Sequence, residues 1–247
     1  MIYIVLGMHK SGTTLIAETL HNSGINMVEE ESSKSYYEGN KYERLETSKI
    51  FEIMLNSQGK HSLDIIPPFD LNLDRGLTEM NNMIMENNKK YRNWGFKDPR
   101  FVFLYKELQN VIPEHKIIYV YRNPQNLIGH YLQYKFTYIK KAFNSWEVYN
   151  QCVIDIIKES ANATDILILS YEKIITDNKE YQKIEKFIDP YKMVNSLKTN
   201  QKKVIPGKKL LSKLLSVSFL LYHKMKINKI NDDINLLKIG KHESSMV

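Results

Sequence analysis

Three runs of the chain, Ile2–Leu6, Lys116–Tyr121 and Asp165–Ser170, are five or six residues long, nearly continuous in apolar character and rich in Ile, Val, Leu or Tyr. A strand with one wet face alternates apolar and polar positions, whereas near-continuous runs belong to strands covered on both faces, as in parallel sheets. A fourth strand is expected around Trp94–Phe96. Between the runs the apolar period lengthens to that of a helix. Thr13–Ser23 carries Ile16 and Leu20 on one side, with Gly24 as a stop, and Phe101–Asn110, Pro124–Tyr134 and Ser145–Ser160 are further helices. This alternation predicts an α/β fold: a central, mostly parallel sheet flanked by helices.

The stretch from Glu29 to Arg92 interrupts that alternation. It is polar and holds two helical stripes, one with Ile50, Phe51, Met54 and Leu55, the other with Leu77, Met80 and Ile84. It reads as a helical insertion beside the sheet, suited by position and length to cap a ligand face, although the sequence alone favours a plain packing layer. After Pro206-Gly207 a last helix is expected from Lys208 to about Met225, with Leu210, Leu211, Leu214, Leu215 and Leu221 on one face. That face either covers the core or meets a membrane surface or partner.

With 247 residues, 43% hydrophobic and 26% charged, the chain suits a single domain spanning residues 1–247 and excludes disordered, collagen-like and coiled-coil classes. One cysteine, Cys152, excludes an internal disulfide and a cysteine-rich zinc site, and its helical flanks suggest a small buried hydrophobe. Ile2–Leu6 is too short for a signal-peptide core, and no run approaches the ~20 apolar residues of a membrane span. The expected setting is cytoplasmic.

Charge is uneven. The last 47 residues hold 10 basic and 3 acidic groups, net +7, which equals the net charge of the whole chain. Such a segment attracts anionic partners, including a membrane surface approached peripherally, or is a solvated lysine face; both readings stand. No nucleic-acid partner is expected, since no helix-turn-helix, zinc-finger or aromatic RNP pattern accompanies the charge.

The sharpest local signal is Gly7-Met8-His9-Lys10-Ser11-Gly12-Thr13-Thr14, between the first strand and the first helix. Unpaired amides and the positive end of a helix dipole converge there on one point, a ready anion site. Against the pattern G-x-x-x-x-G-K-[ST], Gly7, Gly12 and Thr14 fit, but Thr13 stands where the lysine belongs and Lys10 is the loop's basic side chain. No strand ends in an Asp for Mg²⁺: Arg122 follows one strand and Ser170 ends another. This is a phosphate loop without triphosphate or metal apparatus.

His9-Lys10-Ser11-Gly12-Thr13-Thr14 resembles the 5′-phosphosulfate loop of sulfotransferases that use 3′-phosphoadenosine 5′-phosphosulfate (PAPS). Three segments resemble the bacterial branch of that family in order: Trp94-Gly95-Phe96-Lys97-Asp98-Pro99-Arg100, Ile117–Pro124 with Arg122, and Leu169-Ser170-Tyr171-Glu172. Ser35-Tyr36-Tyr37-Glu38 and Ser145-Trp146 through Tyr149-Asn150 add to the likeness, which spans residues 2 to about 190. The resemblance implies a P-loop-like sulfotransferase architecture, PAPS as co-substrate, no metal, and transfer to a hydroxyl or amine of a carbohydrate or small molecule.

It also implies roles. His9, Lys10, Ser11, Gly12, Thr13 and Thr14 would hold the 5′-phosphosulfate, with Lys10 neutralising charge on the leaving oxygen, an effect of roughly 3 kcal/mol for a preorganised donor. Arg122 would clamp the 3′-phosphate, for which its planar fork is suited. Only five arginines occur against 30 lysines, and Arg100 and Arg122 both fall inside motifs. Tyr171 would border the adenine or serve as a core tyrosine. Family members place a serine eight residues after the arginine; here His130 stands there, as a phosphate contact or a structural histidine. The general base would be Glu38, in the acceptor-side segment, with Asp98 second and His9 and His61 outsiders. The plain alternatives are an exposed loop carboxylate for Glu38 and a buried Asp-Pro turn for Asp98. Two other functions compete: a P-loop phosphotransferase, and a non-catalytic binding module of the same fold.

Overall fold

Four strands, β1 (Ile2–Leu6), β2 (Trp94–Lys97), β3 (His115–Tyr121) and β4 (Ala163–Ser170), form one all-parallel sheet in the order β2-β1-β3-β4. They belong to a computed structural model that describes residues 1–29, 42–132, 138–159, 163–188, 220–221 and 223–243. Strand alternation splits the core in two. Ile2, Ile4, Leu6, Ile117 and Tyr119 pack on one face, and Tyr3, Val5, Ile118 and Val120 on the other. Both faces are covered, which is why the strands read as continuous apolar runs.

The second face is covered by α1 (Thr13–Asn22), through Ile16, Ala17 and Leu20, and by α8 (Asn178–Ile188), through Tyr181, Ile184 and Ile188. The first face carries α2 (Leu45–Met54), α3 (Leu73–Lys90), α6 (Tyr138–Glu159) and α9 (Lys224–Glu243). On α6 the buried residues Ile139, Ala142, Phe143, Trp146, Tyr149, Val153 and Ile157 recur at three- and four-residue spacing, the stripe that seats a helix on a sheet. The remaining helices are α4 (Tyr105–Leu108), α5 (Pro124–Leu132) and α7 (Tyr171–Thr176). No described helix is long and apolar enough to cross a membrane.

The four expected strands are present, each within two residues of its expected ends. Two helical expectations change and a third is untested. Phe101–Asn110 is a 3-10 turn over Pro99–Phe103 followed by the single turn α4, because Pro99 and the Asp98 side chain set a tight start. Helix α6 begins seven residues before Ser145. The expected Lys208–Met225 helix lies almost wholly outside the described residues, whereas α9 begins at Lys224 and buries Ile230 and Ile234 beside α6. Cys152 sits half-buried on α6, its thiol pushed up by burial.

One buried arginine fastens the insertion to the sheet. Arg44, just before α2, is fully buried and donates Nε to Gly95 O at 2.8 Å, Nη1 to Asn87 Oδ1 at 3.0 Å and Nη2 to Asn26 O at 3.0 Å. Its guanidinium lies 5.1 Å from the Trp94 ring centre. It thereby joins β2, α3 and the chain after α1. Truncation strands several buried acceptors, so Arg44→Met is expected to lower unfolding free energy by about 3 kcal/mol in urea titration. A change within about 0.5 kcal/mol, the range of an ordinary surface substitution, would contradict the assignment.

Candidate functional site

The order β2-β1-β3-β4 reverses direction between β1 and β3, and the crevice beyond their carboxyl ends is where ligands bind in open parallel sheets. The loop after β1 and the turn after β3 meet there. Gly7, at φ 150°, brings the loop against β3: a Cβ on it would lie 2.5 Å from Val120 O and 2.9 Å from Thr13 Cγ2. Ser11 N donates to Met8 O at 3.1 Å, Lys10 takes a left-handed φ of 66°, and Gly12 at φ 99° caps α1. The first turn of α1 holds no acidic side chain, so its amides and dipole face an anion without competition. Ser11 and Thr13 are buried, Thr14 is half-buried and Lys10 is exposed.

Arg122 follows β3 and reaches back to this loop. Its Nη1 donates to Lys10 O at 2.7 Å, and its guanidinium lies 4.6 Å from the Tyr171 ring centre. Tyr171, at the start of α7, lies against Gly12, where a Cβ would fall 2.1 Å from its Cδ2. Gly12 is therefore required twice, by its backbone angle and by this ring. His130 on α5 is half-buried beside the same cations: burial first, then the charges of Lys10 and Arg122, push its pKa down. So Lys10, Gly12, Arg122, His130 and Tyr171 converge.

Two side-chain nitrogens here are buried without a hydrogen-bond partner: Arg122 Nε and His9 Nε2. A buried guanidinium N–H left unpaired costs free energy, and an anion's oxygens would satisfy it. His9 stands edge-on to Tyr149, ring centres 6.1 Å apart, and the Tyr149 hydroxyl is likewise buried and unpartnered. The loop amides and the unpartnered Arg122 Nε thus suit an anionic ligand in this crevice.

Asp98 is heavily engaged. Its Oδ1 accepts from Arg100 N and Nε, both at 2.9 Å, and Oδ2 from Arg100 Nη2 at 2.6 Å. Burial alone would push its carboxyl up, but the Arg100 charge and hydrogen bonds outweigh it and hold the group below the usual range. Arg100 continues to Ser48 Oγ at 2.7 Å and Glu52 Oε1 at 3.4 Å, so the pair ties β2 to α2. Glu38 lies outside the described residues. His61 is elsewhere, its Nδ1 accepting from Leu63 N and its ring against Tyr138.

Four residues that shape the site were not given these roles from the sequence. Glu172 Oε1 accepts from Asn123 N at 3.1 Å and Asn126 Nδ2 at 2.8 Å, fixing the turn that carries Arg122. Trp146 Nε1 donates to Arg122 O at 2.9 Å, and Asn150 Oδ1 accepts from the Tyr119 hydroxyl. Glu43 accepts from Lys97 Nζ at 2.5 Å, and burial pushes its carboxyl up against the pull of that lysine. Glu172, Trp146 and Asn150 stand in recognised motifs, which is a usable signal. Glu43 carries none beyond its place five residues after Glu38.

The chain matches the model of the sulfotransferase family over residues 3–189, and it belongs to that family. In structure it is similar to the sulfotransferase domain of the Synechococcus PCC 7002 olefin synthase, with 13% identity, a TM-score of 0.50, and 90% of this chain and 94% of that one covered. Sulfotransferase STF9 of Mycobacterium avium aligns with 12% identity and a TM-score of 0.41 over 90% of this chain and 68% of that one. The first likeness shows a shared fold. No curated protein sequence matches the chain.

His9 makes the acid side of the stability curve testable. The residue is half-buried with its Nε2 enclosed, and that desolvation holds the imidazole neutral, at about 3 against an ordinary 6.5. Between those values the unfolded chain binds a proton that the folded one refuses, so stability falls as pH drops from about 6.5 toward 3. One such group contributes a slope approaching 1.4 kcal/mol per pH unit. Asp98, with its lowered pKa, adds loss only below about pH 4. Urea unfolding at pH 7, 6 and 5 should show a shallower decline for His9→Gln than for the wild type; parallel declines would contradict the burial of a neutral His9.

Proposed function

We propose that the chain transfers the sulfuryl group of PAPS to a hydroxyl or amine of a carbohydrate or small molecule. The observation that supports this best is the meeting of Arg122 with the Lys10 loop beside Tyr171, with Arg122 Nε buried and unpaired. The loop amides of Ser11 to Thr14 receive the 5′-phosphosulfate, and Arg122 receives the 3′-phosphate. Tyr171, held on Gly12, offers its ring to the adenine. His130 lies with Lys10 and Arg122, where a neutral imidazole can donate one hydrogen bond to the 3′-phosphate.

Sulfuryl transfer, like phosphoryl transfer, is an in-line displacement with little covalent work for a protein, so positioning and charge stabilisation carry it. Lys10 is exposed and its charge reaches His9 and His130, and in the proposed reaction its ammonium balances charge growing on the leaving phosphate oxygen.

Calorimetry with adenosine 3′,5′-bisphosphate and ADP, each with and without Mg²⁺, tests the reading. Metal-independent binding that prefers the bisphosphate is expected. Arg122→Ala should weaken bisphosphate binding roughly 10- to 100-fold, the effect of losing hydrogen bonds between charged groups, and should affect ADP less. Preference for ADP with Mg²⁺ would favour a phosphotransferase, and binding of neither nucleotide a non-catalytic module; both contradict the proposal.

A further inference from the structure

Helix α9 reaches the end of the strand that carries Arg122. Lys238 places its ammonium 4.8 Å from the centre of the Tyr121 ring. Tyr121 closes β3 immediately before Arg122, and its register partner Ser170 closes β4 immediately before Tyr171. The Tyr121 hydroxyl shares a hydrogen bond with the Ser170 side chain, so one ring spans the ends of both strands. The residues that follow those ends, Arg122 and Tyr171, are the pair that meets beside Gly12. The same helix approaches the turn a second time: Lys226 pairs with Glu147 at 2.8 Å, next to Trp146, whose Nε1 donates to Arg122 O. The Lys238 ammonium is held with little counter-charge. Glu180 on α8 attracts it but is shared with Ser170 N and, at 2.7 Å, with Lys183, while Lys173 on α7 and Lys183 itself repel it. Burial chiefly, with those two lysines adding and Glu180 opposing, brings Lys238 down to about 8 from an ordinary 10.5. Burial and the nearby Glu172 and Glu180 push the Tyr121 hydroxyl up, so the ring stays neutral where Lys238 loses its charge. A cation on an aromatic face attracts the ring only while it is charged.

We propose that Lys238 is a positioning residue of the nucleotide site: seated on the Tyr121 ring, its ammonium clasps α9 to the ends of β3 and β4 and keeps Arg122 against the Lys10 loop. The proposal rests on the nucleotide-binding reading above and adds to it a residue that acts on the ligand only through Tyr121 and Arg122. Lys238 is charged below about pH 8 and loses that charge as pH rises through the same value, so the clasp is closed at pH 7 and open at pH 9.5. His130, pushed down from 6.5, is already neutral across that range and contributes no change of its own.

Calorimetry of adenosine 3′,5′-bisphosphate binding to the full chain at pH 7, 8 and 9.5 reads the clasp. Compared with Lys238→Arg, which stays charged throughout, the wild type should bind equally well at pH 7 and roughly 3- to 10-fold more weakly at pH 9.5, the effect of losing a partly desolvated cation from a ring. Lys238→Met should show that loss already at pH 7. In a Tyr121→Leu background the same Lys238→Met substitution should cost nothing further, because its effect runs through the ring. Three results overturn the proposal. One is a Lys238→Met variant that binds as the wild type does at pH 7. Another is a ratio of wild-type to Lys238→Arg affinity that does not change with pH. The third is a double variant whose losses simply add, which would mean that Lys238 acts on the nucleotide directly. The pH comparison needs only Lys238→Arg, so it decides the matter even where Tyr121→Leu or Lys238→Met fails to fold. A wild type that binds no bisphosphate at pH 7 removes the nucleotide-binding reading, and the clasp with it, and is distinguished because the failure precedes any substitution.

Discussion

The hydrogen bond from Arg122 Nη1 to the Lys10 carbonyl joins the two halves of the crevice. One half is the amide cradle after β1, the other the turn after β3, and they belong to segments 112 residues apart. The contact exists because β1 and β3 are adjacent parallel strands in register, with Leu6 beside Tyr119, and because Gly7 lets the loop press against Val120 O. Tyr171 completes the joint by lying on Gly12 and under the guanidinium. A side chain at either glycine would separate the halves, and the anion-binding groups would no longer face one ligand.

Around this joint, most residues of the recognised motifs hold others in place. Glu172 fixes the Asn123 turn, Trp146 fixes the Arg122 carbonyl, and the Asp98–Arg100 pair fastens β2 to Ser48 and Glu52 of α2. Such supports matter because sulfuryl transfer depends on geometry more than on covalent participation, and small displacements of a charged donor are costly. Arg44 extends the same logic to the insertion, clamping the segment before α2 to Gly95 of β2.

The sheet was legible because buried parallel strands leave an unmistakable apolar signature, and the loop because glycine spacing between strand and helix has few other uses. Partners across the fold were not. Nothing local tells that Glu43 meets Lys97, since that contact depends on how the insertion docks; Asp98 and Arg100 stand two residues apart, but the contacts of Arg100 with Ser48 and Glu52 depend on the same docking. Arg44 is instructive: the scarcity of arginine that singled out Arg122 applied to it equally, yet its purpose is structural. Helix α9 lies inside the basic C-terminal segment expected to be helical over 201–247, but its bounds are not legible because its sequence is largely polar, its core contact being carried by a narrow stripe with Ile230 and Ile234. Two of its lysines have partners, Lys226 in a surface ion pair with Glu147 and Lys238 over the Tyr121 ring.

A crystal structure of the full chain with adenosine 3′,5′-bisphosphate tests the central claim most directly. The account places the 5′-phosphate on the amides of Ser11 to Thr14 and the 3′-phosphate on Arg122, with Arg122 still bonded to the Lys10 carbonyl. A nucleotide bound with its phosphates on other groups, or bound only after Arg122 has left that carbonyl, would contradict it.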